Sequence, residues 1–347
     1  MADRHSRKST GISLGKLAAA GVGAALGLRR MLRPRLSFAA KTVLITGGSR
    51  GLGLVLARCF LKEGARVAIC GRDEETLERA RKELEQVGGE VLTLTCDVKD
   101  PVQVEAMVAQ VQERMGPVEV LVNNAGIIQA GPVEAMTLED FQEAMDTHLW
   151  APLYTTLAVL PAMKRRGEGR IVNISSIGGR VSIPHLVPYS ASKFALVGLS
   201  DGMRAELAQD GIKVTTVCPS LMRTGSPQNA TFKGAHEKEY AWFFLSDSMP
   251  GLSLNSERAG RKIVEACRRG DSEALVGLPA KAAAVVRTLA PNLTAAVLAQ
   301  VNRWLPQDST QDRFRGSQSE TPLTRSWLTE LSRRAAERNN ENEVPIH

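Results

Sequence analysis

From Lys41 onward the chain alternates short apolar runs with longer stretches in which apolar residues return every three or four positions. The apolar runs fall at 42–46, 66–70, 91–95, 118–122, 170–174, 212–217 and 273–277. Their length and their Val, Ile and Leu content predict strands. Helical periodicity fills the intervals at 52–63, 74–87, 101–115, 138–164, 189–209 and 256–269. Strands and helices alternating in this way predict an α/β fold, a parallel sheet joined by crossover helices. Two patterns lie beyond it. Residues 279–305 read as two amphipathic helices split at Pro291, suited to a membrane surface, a sheet edge or a subunit contact. Residues 306–347 are polar, charged and short of apolar residues, and are expected to form a mobile tail.

The chemistry gathers after the fifth strand, in IVNISSIGGRVSIPHLVPYSASKFALVG, Ile171 to Gly198. Tyr189 and Lys193 are four residues apart on a predicted helix, so they share a face. A phenol titrates near 10 in water, and a fixed neighbouring cation favours its ionised form. Lys193 is therefore expected to make Tyr189 a usable acid or base near neutral pH. Ser176 sits just past a strand end, placed to hold an oxygen that Tyr189 protonates. A second stretch, TGGSRGLG from Thr46 to Gly53, breaks the first strand into glycine before a helix. Gly47, Gly51 and Gly53 permit a tight turn and close approach of backbone to a pyrophosphate, whose charge the helix N-terminus favours.

NNAG (Asn123 to Gly126) and NISS fall in order between these two stretches. With four ordered motifs, residues 40–278 resemble the short-chain dehydrogenase/reductase family. The resemblance implies a doubly wound Rossmann-like sheet of about seven strands with helices on both faces. It also implies an oxidoreductase of the EC 1.1.1 type, interconverting a carbonyl and an alcohol by hydride transfer with a tyrosine as proton donor or acceptor. The catalytic positions are then Ser176, Tyr189 and Lys193. Cofactor contacts are implied for Thr46, Gly47, Ser49, Arg50, Gly51, Leu52 and Gly53, for Asp97 and Val98 at the adenine, and for Asn123, Ala125 and Gly126. Tyr189, Lys193, Pro219 and Thr224 complete the set, Thr224 at the nicotinamide carboxamide. A homo-oligomer is also implied.

Two departures from the family pattern change the picture. Where the family usually carries an asparagine in its fourth long helix, this chain has His148. That residue either relays protons near neutral pH or stabilises a helix distortion. Ser220 replaces a family glycine in CPSLMRTGS. The end of the second strand decides the cofactor: it reads VAICGRD, with Gly71 where NAD-binding members place an acid, and Arg72 next. Arg72 and Arg50 would welcome a 2′-phosphate, so NADP(H) is preferred, with NAD(H) the alternative that Asp73, one position beyond, keeps open. Five of the fifteen aromatic residues (Phe232, Tyr240, Trp242, Phe243, Phe244) lie in the segment that the family uses as a substrate lid, here about 220–255. They are either lid packing or, in Trp242 and Phe243, pocket walls. With Ile183, Leu186 and Val187 they predict an apolar lipid-, steroid- or retinoid-like carbonyl or alcohol.

Charge is uneven. Residues 1–35 hold eight of the 44 Lys and Arg and one of the 37 acids, so the remainder is neutral and no nucleic-acid partner is expected. Five cysteines without C-x-x-C spacing predict reduced core thiols, and the five histidines show no metal pattern. In the segment 1–40, Ser9–Leu28 carries one charge and is followed by RRMLRPR. It is read as a membrane anchor that leaves the enzyme on the cytoplasmic side, with an organelle presequence or a disordered basic arm as alternatives. The division expected is therefore 1–40, a catalytic domain at 41–278, a helical extension at 279–305 and the tail at 306–347. A nucleotide-binding scaffold with a vestigial site is the alternative to the enzyme.

Overall fold

The computed structural model describes residues 35–249 and 251–341. The N-terminal segment read as an anchor lies outside them. Seven strands make the central sheet: β1 (Thr42–Thr46), β2 (Arg66–Gly71), β3 (Val91–Thr95), β4 (Val120–Asn123), β5 (Gly169–Ile174), β6 (Ile212–Pro219) and β7 (Glu273–Val276). They lie in the order β3–β2–β1–β4–β5–β6–β7, and every pairing is parallel. The order reverses between β1 and β4. In such a sheet a crevice opens there, outside the carboxyl ends of the strands.

The crossover helices are α1 (Gly51–Lys62), α2 (Glu74–Val87), α3 (Pro101–Met115), α4 (Leu138–Met145), α5 (Ala151–Arg166), α6 (Val187–Leu207), α7 (His236–Ser248) and α8 (Ser256–Arg269). Strand β1, TVLIT, is buried at all five positions because helices cover both faces. Each such Val, Leu or Ile contributes roughly 1.5–3 kcal/mol. Helix α1 is apolar nearly all round, and eleven of its twelve residues are buried. Helix α2 is polar and buries only Leu77, Ala80 and Leu84, one stripe at helical spacing. Asp73 caps its start by accepting from the Thr76 N–H, and Gly88 ends it. The long helix expected over 138–164 is interrupted: residues Asp146–Trp150 form a π-helical turn between α4 and α5.

Two helices follow the sheet, α9 (Leu278–Leu289) and α10 (Pro291–Asn302), divided at Pro291 as the sequence predicts. Their apolar residues face outward, with Leu278, Val285, Leu289, Leu293, Val297 and the following Trp304 all exposed. Among the described residues no helix is long and apolar enough to cross a membrane.

The expected mobile tail is instead folded through residue 341. Phe314–Arg315 pairs with Thr231–Phe232, which also pairs with Gln129–Ala130 in a three-stranded sheet. Helix α11 (Glu330–Arg338) buries Ser332, Ala335 and Ala336. Polarity misled here because the tail is held by hydrogen bonds rather than by an apolar face. Arg58 alone donates to the Arg338 carbonyl and to Asn339 Oδ1. The five cysteines are buried free thiols, as expected.

Candidate active site

A cavity of about 520 Å³ opens at the carboxyl ends of the strands, lined by the glycine turn, the ends of β2 to β6, the start of α6 and one face of α7. Ser176, Tyr189 and Lys193 all line it. Strand β5 ends at Ile174, and the loop after it is tied to α6 because Ser175 Oγ donates to the Lys193 carbonyl at 3.0 Å. Ser176 Oγ accepts from the Gly178 N–H at 3.0 Å. A Cβ on Gly178 would lie 3.1 Å from Tyr189 Cε1 and 3.4 Å from Ser176 Oγ. The absence of a side chain there is what lets the phenol ring lie beside the serine.

Lys193 Nζ donates to the Ile174 carbonyl at 2.9 Å and lies 5.6 Å from the centre of the Tyr189 ring. The expected depression of the phenol's pKa is not found. Burial raises Tyr189 above the usual phenol value, and the Ser176 hydrogen bond opposes this only partly. The same burial draws Lys193 down to about 7. Both groups are withdrawn from water together, and burial opposes the charged form of each.

His148 lies in the π-helical turn and is 1% exposed. Its Nε2 accepts from the Ile127 N–H at 3.1 Å, and its Nδ1 is 2.7 Å from Ser192 Oγ. The Ser192 hydroxyl donates to the Tyr189 carbonyl at 2.9 Å, so Nδ1 must supply the hydrogen between itself and Ser192. The ring is therefore neutral with its proton on Nδ1. Burial, aided by the Lys193 charge, holds its pKa well below the ordinary histidine value. Of the two readings left open, both ring nitrogens being engaged favours the stabilised distortion, which joins the loop after β4 to α6.

The glycine turn has the geometry of a cradle. Gly47 has φ +61°, and a Cβ there would approach Ala125 Cα to 2.8 Å. Ser49, Arg50, Gly51, Leu52, Arg72, Asp97, Val98, Ala125, Gly126, Pro219 and Thr224 line the cavity with it. Thr46, Gly53 and Asn123 do not. Thr46 Oγ1 accepts from the N–H groups of Asn124 and Ala125, so it positions the β4 loop. Gly53 packs against the Gly47 carbonyl. Asn123 donates to Asn173 Oδ1 at 2.8 Å and accepts from Thr155, as a strut between β4, β5 and α5. The carboxylate of Asp73 is committed to capping α2 through Thr76, and those bonds hold it below the usual range.

Ile183, Leu186, Trp242 and Phe243 line the opposite part of the cavity, whereas Val187 does not. Phe232, Tyr240 and Phe244 pack together with Leu186 as a small core. Glu239 accepts from Trp242 Nε1 and pairs with His185 Nδ1, both at 2.7 Å, which pins α7 to the loop before Tyr189. Of the acids that line the cavity, Asp247 and Glu341 lie outside the motifs. Burial raises Asp247 to about 8 and Glu341 to about 7.

Comparison with known proteins bears on this geometry. The family model of short chain dehydrogenases matches residues 41–233. The dehydrogenase/reductase SDR family member 7B of Danio rerio is 34% identical over 301 residues, 84% of this chain and 96% of that one. The ketoacyl reductase HetN of Nostoc sp. is 40% identical over 182 residues, 52% of this chain and 63% of that one. Among solved structures, the L-sorbose reductase of Gluconobacter frateurii, complexed with NADPH and L-sorbose, is similar with a TM-score of 0.63. It is 26% identical, and the match covers 70% of this chain and 97% of that one.

Proposed function

This chain belongs to the short-chain dehydrogenase/reductase family of oxidoreductases, which act on CH–OH groups with NAD(P) as acceptor, and on that premise we propose that it is an NADP(H)-dependent carbonyl reductase or alcohol dehydrogenase for an apolar substrate. The observation that carries this reading is the convergence of Ser176, Tyr189 and Lys193 on one cavity with the glycine turn and the Trp242–Phe243 wall. The nicotinamide, when bound, supplies or accepts the hydride. Ser176 Oγ holds the substrate oxygen, and the Tyr189 phenol gives that oxygen its proton in reduction and takes it back in oxidation. Buried Lys193, near 7, is suited to passing a proton to Tyr189 between turnovers.

Arg50 and Arg72 both line the cavity, and the Asp73 carboxylate is engaged by Thr76, which supports NADP(H) over NAD(H). The apolar faces of α9 and α10, with Lys281, Arg287 and Arg303 and no acid over 278–305, support a position on an anionic membrane surface. The test is NADPH consumption against a panel of lipid-like ketones, aldehydes and quinones. With a substrate found, Tyr189→Phe should lower turnover about 100-fold or more while NADPH binding, read by fluorescence, persists. A variant that keeps its rate removes the proposed role of Tyr189.

A further inference from the structure

The turn whose shape suits a diphosphate is already in contact with the segment Asn339–Glu341. Gly51 N–H, at the start of α1, donates to the Asn339 carbonyl at 2.8 Å. The Asn340 side chain donates to the carbonyls of Ser49 and Thr76 and accepts from Arg79 Nε at 2.9 Å. Asn339 is held by Arg58 and donates to the Thr224 carbonyl at 3.1 Å. These contacts deliver Glu341 into the cavity. A side chain on Gly51 would run into its Oε1, its Oε2 accepts from Asn229 Nδ2 at 2.7 Å, and Arg50 Nε lies 3.7 Å away. The carboxylate is 5% exposed.

A carboxylate at a helix N-terminus, beside an arginine and over a glycine, stands where an anion is most favoured. A diphosphate seated over the turn would need the same arginine and the same space. Two anions cannot share a desolvated cradle, since like charges at contact distance repel strongly once water is removed. The neighbouring attachments differ in depth. Asn339 and Asn340 are bonded to α1, α2, the glycine turn and the Thr224 carbonyl, whereas the Glu341 side chain is held by Asn229 and the more distant Arg50, and its N–H by the Ala336 carbonyl of the tail's own helix.

We propose that Glu341 is a tethered competitor for the cofactor's diphosphate, so that the C-terminal segment sets dinucleotide affinity by occupying the glycine turn until it is displaced. The proposal rests on the reading of that turn as a dinucleotide site. Displacement needs the Glu341 side chain to swing away, while Asn339 and Asn340 keep the turn in shape. The cost of removing the carboxylate is subtracted from every binding event.

The test is a fluorescence titration of the full chain, of Glu341→Ala, of Glu341→Gln and of a chain ending at Asn340. The ligands are NADPH and adenosine 2′-monophosphate, which keeps the 2′-phosphate end and has no phosphate at the 5′ position. Glu341→Ala and the shortened chain should bind NADPH about tenfold tighter than the full chain. Glu341→Gln, which removes the charge and keeps the bulk, should fall between. The monophosphate should change less than about threefold. Equal NADPH affinity in all four proteins overturns the inference and leaves the dinucleotide reading standing. Weaker binding by both Glu341→Ala and the shortened chain overturns it too, since Glu341 would then belong to the cofactor's site. If none of the four proteins binds NADPH or NADH, the dinucleotide reading falls and takes this one with it.

Discussion

Replacing His148 by asparagine should change how stability depends on pH, in a way that the buried neutral ring dictates. In the folded chain the pKa of His148 lies well below the ordinary value, because burial opposes its charge. In the unfolded chain it returns to about 6.5. Below that pH the unfolded chain binds a proton that the folded chain refuses. The contribution of the site is therefore full above 6.5 and is lost as pH falls, at up to about 1.4 kcal/mol per unit until the folded pKa is reached. By pH 5 the loss comes to roughly 2 kcal/mol. Asparagine does not titrate, and its shorter side chain can serve either the Ile127 N–H or Ser192 but not both, which costs about 1–3 kcal/mol at any pH. Urea unfolding of both proteins from pH 8 to pH 5 should show the wild type more stable by that margin at pH 8. The gap should close by roughly 2 kcal/mol at pH 5. Lys193, Asp247 and Glu341 titrate in both proteins, so the difference between them isolates the ring. A gap that stays constant across the range would refute the neutral Nδ1–H assignment.

Cofactor choice and location can be tested separately. Arg72→Ala should weaken NADPH about tenfold or more through loss of one charge-assisted hydrogen bond and leave NADH within about threefold; equal losses for the two cofactors would count against a 2′-phosphate contact. The full chain should co-sediment with vesicles containing phosphatidylserine at low salt, and Leu289→Glu combined with Trp304→Glu should reduce this; a chain that remains wholly in the supernatant rules out the membrane surface.

The central sheet was legible because its strands are buried on both faces, which leaves uninterrupted Val, Ile and Leu runs such as Thr42–Thr46. Ser176, Tyr189, Lys193 and most of the glycine turn were legible because each lies within a short motif whose local geometry aims it at the cavity. The electrostatics of the pair were not. Spacing shows that Tyr189 and Lys193 share a face, but only the packing shows that both are stripped of water, which reverses the expected direction for the phenol. Thr46 and Asn123 are read from motifs as cofactor contacts and turn out to be supports one layer behind, since a motif does not say which way a polar atom points. The C-terminal segment was least legible. Its order comes from amide and guanidinium bonds to residues 49–79, far away in the chain, and such bonds leave no periodicity. The run Asn339, Asn340, Glu341 looks like any solvated tail.

The bond from Asn340 to the Ser49 carbonyl spans 291 residues. At the usual pace of synthesis, about 5–20 residues per second, the ribosome needs roughly 15 to 60 s to travel from one partner to the other. For that interval the nascent chain carries a glycine turn with no tail to cover it. The order of events is thus written into the positions of the two partners: the cradle is made first, and the residues that close over it follow some 291 positions later.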